Sequence, residues 1–511
     1  MVRSIAVAAV VFIQAALAQS DAQAPVPTLR SETRVVEIDV VAKDSRGHTV
    51  GDLTKQDFTV KDEGKPRAIR IFAINRGEAA GHATPAPAIQ LPPNVFTNLG
   101  TVPAESASAH TTVILLDAVN GYFDNYAGSR DQVIAMVRRL KSDERIAVYV
   151  LTEFQGLVIL QDYTTDHDLL VKNVGAFVPS GMVPAPPGME GLSQALSTFP
   201  GPVQPSKEKE FFMREGAESA RNAIQAIAKN LAIVPGRKSL LWVSQGFPPR
   251  QIREMRDPWE KTMDAVNQAN VALDTVDSNA LGGPPRRWGP GGLASLMELA
   301  ERAGGKAYYN RNDLDAAMAE AIEDQRTSYI LGFYLGDEER DDRFHRLEVH
   351  VDRPHLELHY RLGYFAGADR NADRAQKKAD LDSALLSPLD STGVGITVGI
   401  VEAKPGTPRG TLRIRANLDR RTISLKPKGN GWEGKFDEMF VQVNASGKTV
   451  ARISDSQRFD MTAEQRDRLE RVGLTYSRTM PLDGDAVKLR VIIRDAETGR
   501  VGSLTVPLKQ P

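Results

Sequence analysis

The chain has 511 residues, of which 64 are Lys or Arg and 65 are Asp or Glu, so its formal net charge is −1. This length exceeds one ordinary domain, and the balanced charge provides no broad field that would attract nucleic acid or an anionic membrane. The absence of cysteine excludes disulfides, thiol catalysis, thiolate metal sites and a lipid anchor on cysteine.

The first eighteen residues have the pattern of a secretory signal peptide. Arg3 supplies the positive charge, residues 5–13 form a short apolar core, and Ala16-Leu17-Ala18 fits the small-x-small cleavage pattern. Cleavage before Gln19 predicts an exported protein of the periplasm or the extracellular space, and an uncleaved N-terminal anchor is the alternative. No second apolar stretch approaches the length of a membrane span, so none is expected in the mature chain.

The rest of the chain divides into segments of different pattern. Alternating apolar residues and turn residues indicate β structure before and after a long region in which strands and helices alternate. In chain order we predict a disordered segment (19–30), a small β module (31–75), a linker or arm (76–110), an α/β domain with a C-terminal β extension (111–366), a charged connector (367–391) and a β-rich domain (392–511).

Repeated strand–helix units in residues 111–336 predict right-handed crossovers and a doubly wound sheet. The fold class is therefore expected to be α/β, with a mostly parallel, Rossmann-like sheet flanked by N- and C-terminal β-sandwich-like domains. The strands expected in the sheet include 112–117, 145–151, 240–243, 271–276 and, closing the series, 329–334.

Polar residues follow several of these strands, where ligands bind in open α/β sheets. Asp117 ends the first strand and Asn120 follows it, Ser244 and Gln245 come after a later strand, and Asp277 ends the next one. These five residues are the candidate ligand-binding site at the carboxyl ends of the strands. The structural alternative is that Asp117 caps a helix or accepts backbone N–H bonds at the edge of the sheet.

The first strand resembles that of von Willebrand factor A (VWA) domains, which ends in Asp-x-Ser-x-Ser. In those domains this metal-ion-dependent adhesion site (MIDAS) holds a divalent cation and, through the cation, an acidic residue of a partner. Here Asp117 stands at the aspartate position, whereas Val119 and Gly121 stand at the two serine positions. The resemblance implies a VWA-like scaffold with a degenerate MIDAS.

The other two loops of the MIDAS pattern also depart from it. The second loop lies near Gly181, where no threonine matches, and Ser244-Gln245-Gly246 stands where Thr-Asp-Gly is usual. Asp277 is the carboxylate that we expect to substitute. Because Mg²⁺ and Ca²⁺ need several oxygen ligands, the resemblance implies no cofactor or a weakly bound Mg²⁺ or Ca²⁺, with Asp117 the one retained ligand position.

Several further runs together resemble the VWFA-related domain proteins described mainly from Acidobacteria. The resemblance covers about residues 31–366, and it implies an exported, protein-binding or adhesion-type module with a protein partner in the cell envelope or outside the cell. The matching runs are Leu91-Pro-Pro-Asn-Val-Phe-Thr-Asn98, Val113-Ile-Leu-Leu-Asp117, Pro235-Gly-Arg-Lys238, Trp242-Val-Ser-Gln-Gly-Phe247, Ser328-Tyr-Ile-Leu-Gly-Phe-Tyr334 and Arg361-Leu-Gly-Tyr-Phe-Ala366.

Two alternatives to a binding module remain open from the residues. One is an envelope hydrolase that uses Asp117, Ser244 and Asp277, although Trp242 stands where a nucleophile elbow needs glycine. The other is a structural component of an envelope assembly. No catalytic motif is present in the sequence, so we do not expect the chain to be an enzyme.

Four histidines also fall close together, at positions 345, 350, 355 and 359. If the strands on either side of Asp352-Arg-Pro354 pair with each other, His350 and His355 face each other, and zinc is a conceivable ligand. A solvent-facing row of histidines is the simpler interpretation, because Leu347, Val349 and Val351 take the other face of the strand.

Overall fold

The computed structural model describes residues 34–75, 91–99, 111–140, 144–179, 206–232, 234, 238–279, 286–289, 291–324, 326–336, 339, 341, 343–366, 374–402 and 410–508. The predicted signal peptide, the predicted disordered segment and the second MIDAS-like loop near Gly181 lie outside the described residues. Among the described residues, no helix combines the length and the apolar character that crossing a membrane requires.

Twenty-three strands and nine α-helices are described. The strands are β1 (Arg34–Lys43), β2 (Phe58–Asp62), β3 (Lys65–Arg67), β4 (Ile71–Asn75), β5 (Val95–Thr97), β6 (Thr111–Asp117), β7 (Arg145–Thr152), β8 (Gly156–Thr164), β9 (Lys238–Ser244), β10 (Val271–Asp277), β11 (Ala307–Tyr308), β12 (Ser328–Leu335), β13 (Phe344–Val351), β14 (Glu357–His359), β15 (Gly363–Phe365), β16 (Ile396–Glu402), β17 (Thr411–Leu418), β18 (Leu425–Lys428), β19 (Gly431–Asn444), β20 (Thr449–Met461), β21 (Leu474–Pro481), β22 (Ala486–Asp495) and β23 (Val501–Pro507). The helices are α1 (Phe123–Val137), α2 (His167–Ala176), α3 (Lys207–Leu231), α4 (Arg250–Glu254), α5 (Arg256–Gln268), α6 (Gly292–Arg302), α7 (Leu314–Asp324), α8 (Arg374–Leu386) and α9 (Ala463–Val472).

The central sheet has the strand order β11-β10-β9-β6-β7-β8, parallel except for the antiparallel edge strand β8. All seven residues of β6, β9 and β10 are buried, as parallel strands covered on both faces require. Alternate residues of β6 face opposite layers, so Val113 and Leu115 pack with α3, α5 and α6, whereas Ile114 and Leu116 pack with α1, α2 and α7. The predicted α/β fold class is confirmed.

The N-terminal β-sandwich joins two parts of the chain that are distant in sequence. Strands β14-β1-β12-β4 form one sheet and β15-β13-β2-β3 form the other, and Ile38, Phe58, Tyr329 and Leu347 belong to the shared core. The prediction that residues 329–334 close the doubly wound sheet is wrong, because β12 pairs antiparallel with β1 and β4. A short apolar run suits a parallel strand and a sandwich strand equally well.

The C-terminal β-sandwich packs the sheet β21-β17-β16-β5 against the sheet β18-β19-β22-β23, with β20 paired to β19. Ile396, Ile414, Phe440 and Val491 belong to its core. Strand β5 comes from the segment predicted as a linker or arm, so part of that segment completes a sheet formed by residues about 300 positions later. The predicted charged connector contains α8, whose Leu381 packs on the second sheet.

Candidate functional site

The carboxyl ends of β6, β7, β9 and β10 meet at one edge of the central sheet, called the rim below. The parallel register aligns Asp117 with Leu151 and Asp277 with Ser244. Because neighbouring parallel strands run in the same direction and in register, their carboxyl ends lie side by side at one edge of the sheet. The rim therefore gathers all five residues that the sequence predicts as a site, and their role in binding stays a prediction.

Asp117 is buried at the centre of the rim and accepts five hydrogen bonds. Its Oδ1 accepts the backbone N–H groups of Val119 at 3.0 Å and Asn120 at 2.9 Å. Its Oδ2 accepts the Asn120 amide at 2.9 Å, the Trp242 indole N–H at 3.2 Å and the Ser244 hydroxyl at 2.7 Å. The carboxylate thus fastens the first turn of the loop after β6 to the end of the neighbouring strand β9.

These donors determine whether the rim suits a divalent cation. A carboxylate offers about four lone-pair directions, and donor hydrogens compete with a cation for them. Five donors already point at Asp117. No group of three or more His, Asp or Glu side chains that could hold a metal occurs in the part of the chain that the structure describes. The residues present do not fit a divalent cation at this position.

Asn120 and Gly216 bring helix α3 against the rim. The Asn120 side chain is buried, and its Nδ2 donates to the Gly216 carbonyl at 3.2 Å as well as to Asp117. A Cβ atom at position 216 would stand 2.5 Å from Asn120 Oδ1, so only glycine allows this approach. Asn120 Oδ1 accepts the Trp288 indole N–H at 3.1 Å, so both polar atoms of this amide are engaged within the chain.

Asp277 forms an ion pair with Arg286. The guanidinium donates from Nη1 to Oδ1 at 2.7 Å and from Nη2 to Oδ2 at 2.5 Å, and the carboxylate side chain is only 2% exposed. This planar bidentate pairing is the strong form of a charge-assisted hydrogen bond. The carboxylate that was expected to replace a metal ligand is therefore neutralised by a cation from the chain itself.

Arg287 and Trp288, which follow Arg286 in the chain, contact the loop after β6 on the other side of the rim. Arg287 Nη1 donates to the Val119 carbonyl at 2.8 Å, and its guanidinium carbon lies 4.6 Å from the centroid of the Trp288 ring. Arg286, Arg287 and Trp288 are together named the clasp. The clasp ties the end of β10 to the loop after β6. Its residues were not predicted from the sequence. The one available signal was a pair of adjacent arginines shortly after a strand that ends in aspartate.

Gln245 and Ser244 also form hydrogen bonds that hold the rim loops together. Gln245 Oε1 accepts the Arg287 backbone N–H at 3.1 Å, and Gln245 Nε2 donates to Asn279 Oδ1 at 3.0 Å. Ser244 is buried, and its Oγ donates to Asp117 while it accepts the Gly246 backbone N–H at 2.9 Å. A buried hydroxyl that donates to a carboxylate and has no imidazole beside it in the described region does not form an activated nucleophile.

The four histidines do not converge. His345 bridges two carboxylates, with Nδ1 at 3.0 Å from Asp62 Oδ1 and Nε2 at 3.1 Å from Asp341 Oδ1. The strand pairing on which a zinc site would depend does not occur around residues 352–354, because β13 pairs with β2 and β15 whereas β14 pairs with β1. The connecting turn crosses from one sheet of the sandwich to the other, so His350 and His359 lie in different sheets.

Three exposed aromatic side chains lie on elements that contact the rim. Phe154, 72% exposed, lies in the turn after β7, and the preceding Glu153 approaches Arg287 to 4.0 Å. Phe211 and Phe212, 57% and 42% exposed, lie in the first turns of α3, with ring centroids 5.6 Å apart. These apolar rings were not predicted from the sequence, because an isolated phenylalanine gives no sign of its exposure.

Comparisons with known proteins give structural neighbours only. No family model matches the chain, and no curated protein matches it. An aerotolerance-related membrane protein from Bacteroides fragilis is 11% identical, with 42% of this chain and 98% of that chain covered and a TM-score of 0.27. Manganese-loaded TRAP protein from Plasmodium vivax is 8% identical, with coverages of 52% and 94% and a TM-score of 0.24.

A third neighbour is proximal thread matrix protein 1 from the mussel byssus, in a form with a zinc-occupied MIDAS motif. It is 11% identical, with 43% of this chain and 47% of that chain covered and a TM-score of 0.24. At such identities and TM-scores these neighbours do not define a function for the chain. A function has to be inferred from the geometry of the rim itself.

Proposed function

We propose that this chain is a protein-binding, adhesion-type module whose rim engages a protein partner without an intervening divalent cation. The observation that carries the proposal is the exposure of Phe154, Phe211 and Phe212 on elements that contact the rim, where Asp117 and Asp277 already have partners in the chain. In a metal-dependent adhesion site the cation provides the recognition, whereas here the surface offered to a partner is apolar at its edges.

The aromatic residues lie on two different elements that contact the rim. Phe154 follows β7, next to the Glu153–Arg287 contact. Phe211 and Phe212 lie near the start of α3, which the Asn120–Gly216 hydrogen bond and the Glu210–Arg250 ion pair hold at the rim. Aromatic side chains with arginine among them are the residue types that dominate protein interfaces.

The expected binding free energy comes from burying these rings. Full burial of a fully exposed phenylalanine side chain contributes about 1.5–3 kcal/mol. Phe154, Phe211 and Phe212 are already partly buried, so each contributes less, and further contacts with the partner have to offset the cost of association. The clasp provides a polar surface that is held in place, because its guanidinium groups already have acceptors in the chain. A partner therefore meets a preformed surface.

The remaining parts of the proposal rest on the sequence. The signal-peptide pattern of residues 1–18 supports export to the periplasm or the extracellular space, where the partner would be met. The hydrolase alternative is less well supported, because Ser244 is buried and Asp277 is paired with Arg286. A structural component of an envelope assembly would use the same rim.

Site-specific photo-crosslinking tests the proposal. A photo-crosslinking amino acid at position 154 or 211 of the full chain is expected to capture one protein in the cells that produce it. The same probe at position 386 is the control, because Leu386 is 83% exposed but lies on α8. Capture from all three positions alike, or from position 386 only, would exclude the rim as the binding surface.

Purified proteins then separate apolar from metal-mediated recognition. With the captured protein, a variant carrying Phe154→Ser, Phe211→Ser and Phe212→Ser is expected to bind at least about tenfold more weakly, as loss of 1.4 kcal/mol or more implies. Leu386→Ser is expected to leave affinity unchanged. EDTA is expected to have no effect on the unmodified chain, and loss of binding in EDTA would contradict the proposal.

A further inference from the structure

The sheet β21-β17-β16-β5 has one face in the C-terminal core and one face turned outward. Strand β17 alternates, with Leu412, Ile414 and Ala416 buried and Arg413 and Arg415 exposed. Alternation of this kind is expected for an antiparallel sheet that is solvated on one side. The pairing register therefore identifies which residues of the other strands share the outer face.

Eight of the ten aligned positions on the outer face carry polar or charged side chains, and the other two are Gly399 and Val95. One row aligns Thr475, Asn417, Thr397 and Thr97, and in it Asn417 Nδ2 donates to Thr475 Oγ1 at 2.7 Å. The next rows align Ser477 with Arg415 and Thr479 with Arg413, and Arg415 also aligns with Gly399 and Val95. No carboxylate and no aromatic ring occupies any of these ten positions.

The two arginines are spaced for contact with an extended ligand. Arg413 and Arg415 are exposed, and neither has a carboxylate partner among the residues that the structure describes. Residues two apart on a strand are about 6.6–6.8 Å apart along it, and Gly399 beside Arg415 leaves room above the sheet. Both guanidinium groups can therefore reach the same chain-like ligand.

A cleft of about 250 Å³ adjoins this face at the end of β17. Asn417 belongs to both, and the cleft is lined further by Arg420 and Arg471, which are exposed. The one acidic residue of its lining, Asp419, is paired with Arg421 at 2.6 Å. Face and cleft together form a basic surface, named the arginine face, on a chain whose net charge is −1.

We propose that the arginine face binds an acidic polysaccharide, with guanidinium groups on the carboxylates and the hydroxyl and amide rows on the sugar hydroxyls. Arginine pairs with carboxylates in a bidentate manner. None of the ten aligned positions carries an aromatic side chain that could anchor to a peptide, and a peptide strand would add to a sheet edge rather than to the face of the interior strand β17. This inference is independent of the rim and goes beyond the protein-binding function.

Binding of polygalacturonate to the full chain, measured by calorimetry at several salt concentrations, tests the proposal. The unmodified protein is expected to bind, and to bind more weakly as salt rises, because ionic contacts are screened. Arg413→Ala with Arg415→Ala is expected to weaken binding at least about tenfold, since hydrogen bonds to charged groups are strong. Arg420→Ala with Arg471→Ala is expected to act in the same direction.

A matched control removes the same charge elsewhere. Arg256 lies on α5 and is 77% exposed, and Arg452 is exposed on β20 of the other sheet. Arg256→Ala with Arg452→Ala is expected to leave polygalacturonate affinity unchanged. Equal weakening by this control would overturn the proposal, because the effect would then reflect net charge and not the arginine face.

Two other ligands distinguish a glycan from any acidic polymer. Neutral dextran is expected not to bind, and poly-L-glutamate is expected to bind at least about tenfold more weakly than polygalacturonate if the hydroxyl rows contribute. Equal affinity for poly-L-glutamate, or no binding of polygalacturonate, would overturn the assignment. Arg413→Lys with Arg415→Lys keeps the charge and the fold, and it is expected to restore only part of the affinity.

Discussion

The rim and the arginine face use the same residue type in opposite ways. At the rim, Arg286 and Arg287 are turned inward, where they pair with Asp277 and with the Val119 carbonyl. On the C-terminal sheet, Arg413 and Arg415 point outward, with no carboxylate partner in the described part of the chain. The first pair closes a surface, and the second pair leaves its hydrogen-bonding capacity available to a ligand.

This difference shows that the environment of an arginine determines its role. A guanidinium that has lost its water must be paired, and removing its partner leaves an uncompensated buried charge. An exposed guanidinium contributes little to stability but keeps its donors for binding. Stability should therefore depend on the rim arginines, and acidic-ligand binding should depend on the sheet arginines.

Arg286→Gln should produce the largest effect. It leaves the Asp277 carboxylate buried without its cation, and breaking a buried pair in this way costs about 3–5 kcal/mol. Chemical denaturation of the full chain, followed by far-UV circular dichroism, measures the loss. Arg413→Gln is the matched control, and a loss below about 1 kcal/mol for Arg286→Gln would mean that the clasp does not hold the rim.

Asp117→Asn should have the next largest effect. The amide nitrogen of asparagine is a donor, and either orientation of the amide would place it against donors that now point at Asp117, including Ser244 Oγ and Trp242 Nε1. Unpaired buried donors cost about 1–3 kcal/mol. Unfolding midpoints of the two proteins give the difference, and an unchanged midpoint would show that these hydrogen bonds are dispensable.

How far the sequence predicted these regions depends on the kind of pattern each contains. The parallel strands and the meeting of Asp117, Asn120, Ser244, Gln245 and Asp277 were predictable, because carboxyl ends of parallel strands share one edge. The clasp was not predictable, since its position depends on how the chain returns to the rim after β10. A periodic pattern of apolar residues identifies helices and strands, but it does not show where the connection after a strand lies.

The pairing of β12 with β1 and the joining of β5 to β16 were also beyond the sequence pattern. Both connect residues about 300 positions apart. An alternating or apolar run identifies a strand but not its neighbour. The arginine face illustrates the same limit, because the alternation of β17 indicates an exposed side, whereas the rows of hydroxyl groups become visible only through the register.

The pH dependence of Asp419 provides a smaller test within the arginine face. Hydrogen bonding to Arg421 holds the pKa of this carboxyl below its usual value of 3.8. The folded-state pKa is depressed, so the stabilisation is present above the unfolded pKa and is lost as pH falls through the folded pKa. Arg421→Ala should raise the Asp419 pKa towards its usual value, as NMR titration of the carboxyl carbon would show. A pKa unchanged in the variant would contradict the pairing.

The smallest stability effect is expected for Arg413→Ala with Arg415→Ala. Exposed residues without partners usually change stability by less than about 0.5 kcal/mol. Thermal unfolding of this variant should therefore overlay that of the unmodified protein, even though polygalacturonate binding falls. A large loss of stability would mean that the two side chains are structural, and the contrast with the rim would fail.

The most direct test of the central claim is a thermal unfolding scan of the unmodified protein in EDTA and then in Mg²⁺, Mn²⁺ or Ca²⁺. A cation present at one hundred times its dissociation constant would add about 2.7 kcal/mol to the stability of the folded state. Because donors saturate Asp117 and Arg286 neutralises Asp277, we expect the same unfolding midpoint in every condition. A cation-dependent rise that disappears in Asp117→Ala would contradict the account, since it would show that the rim binds a metal.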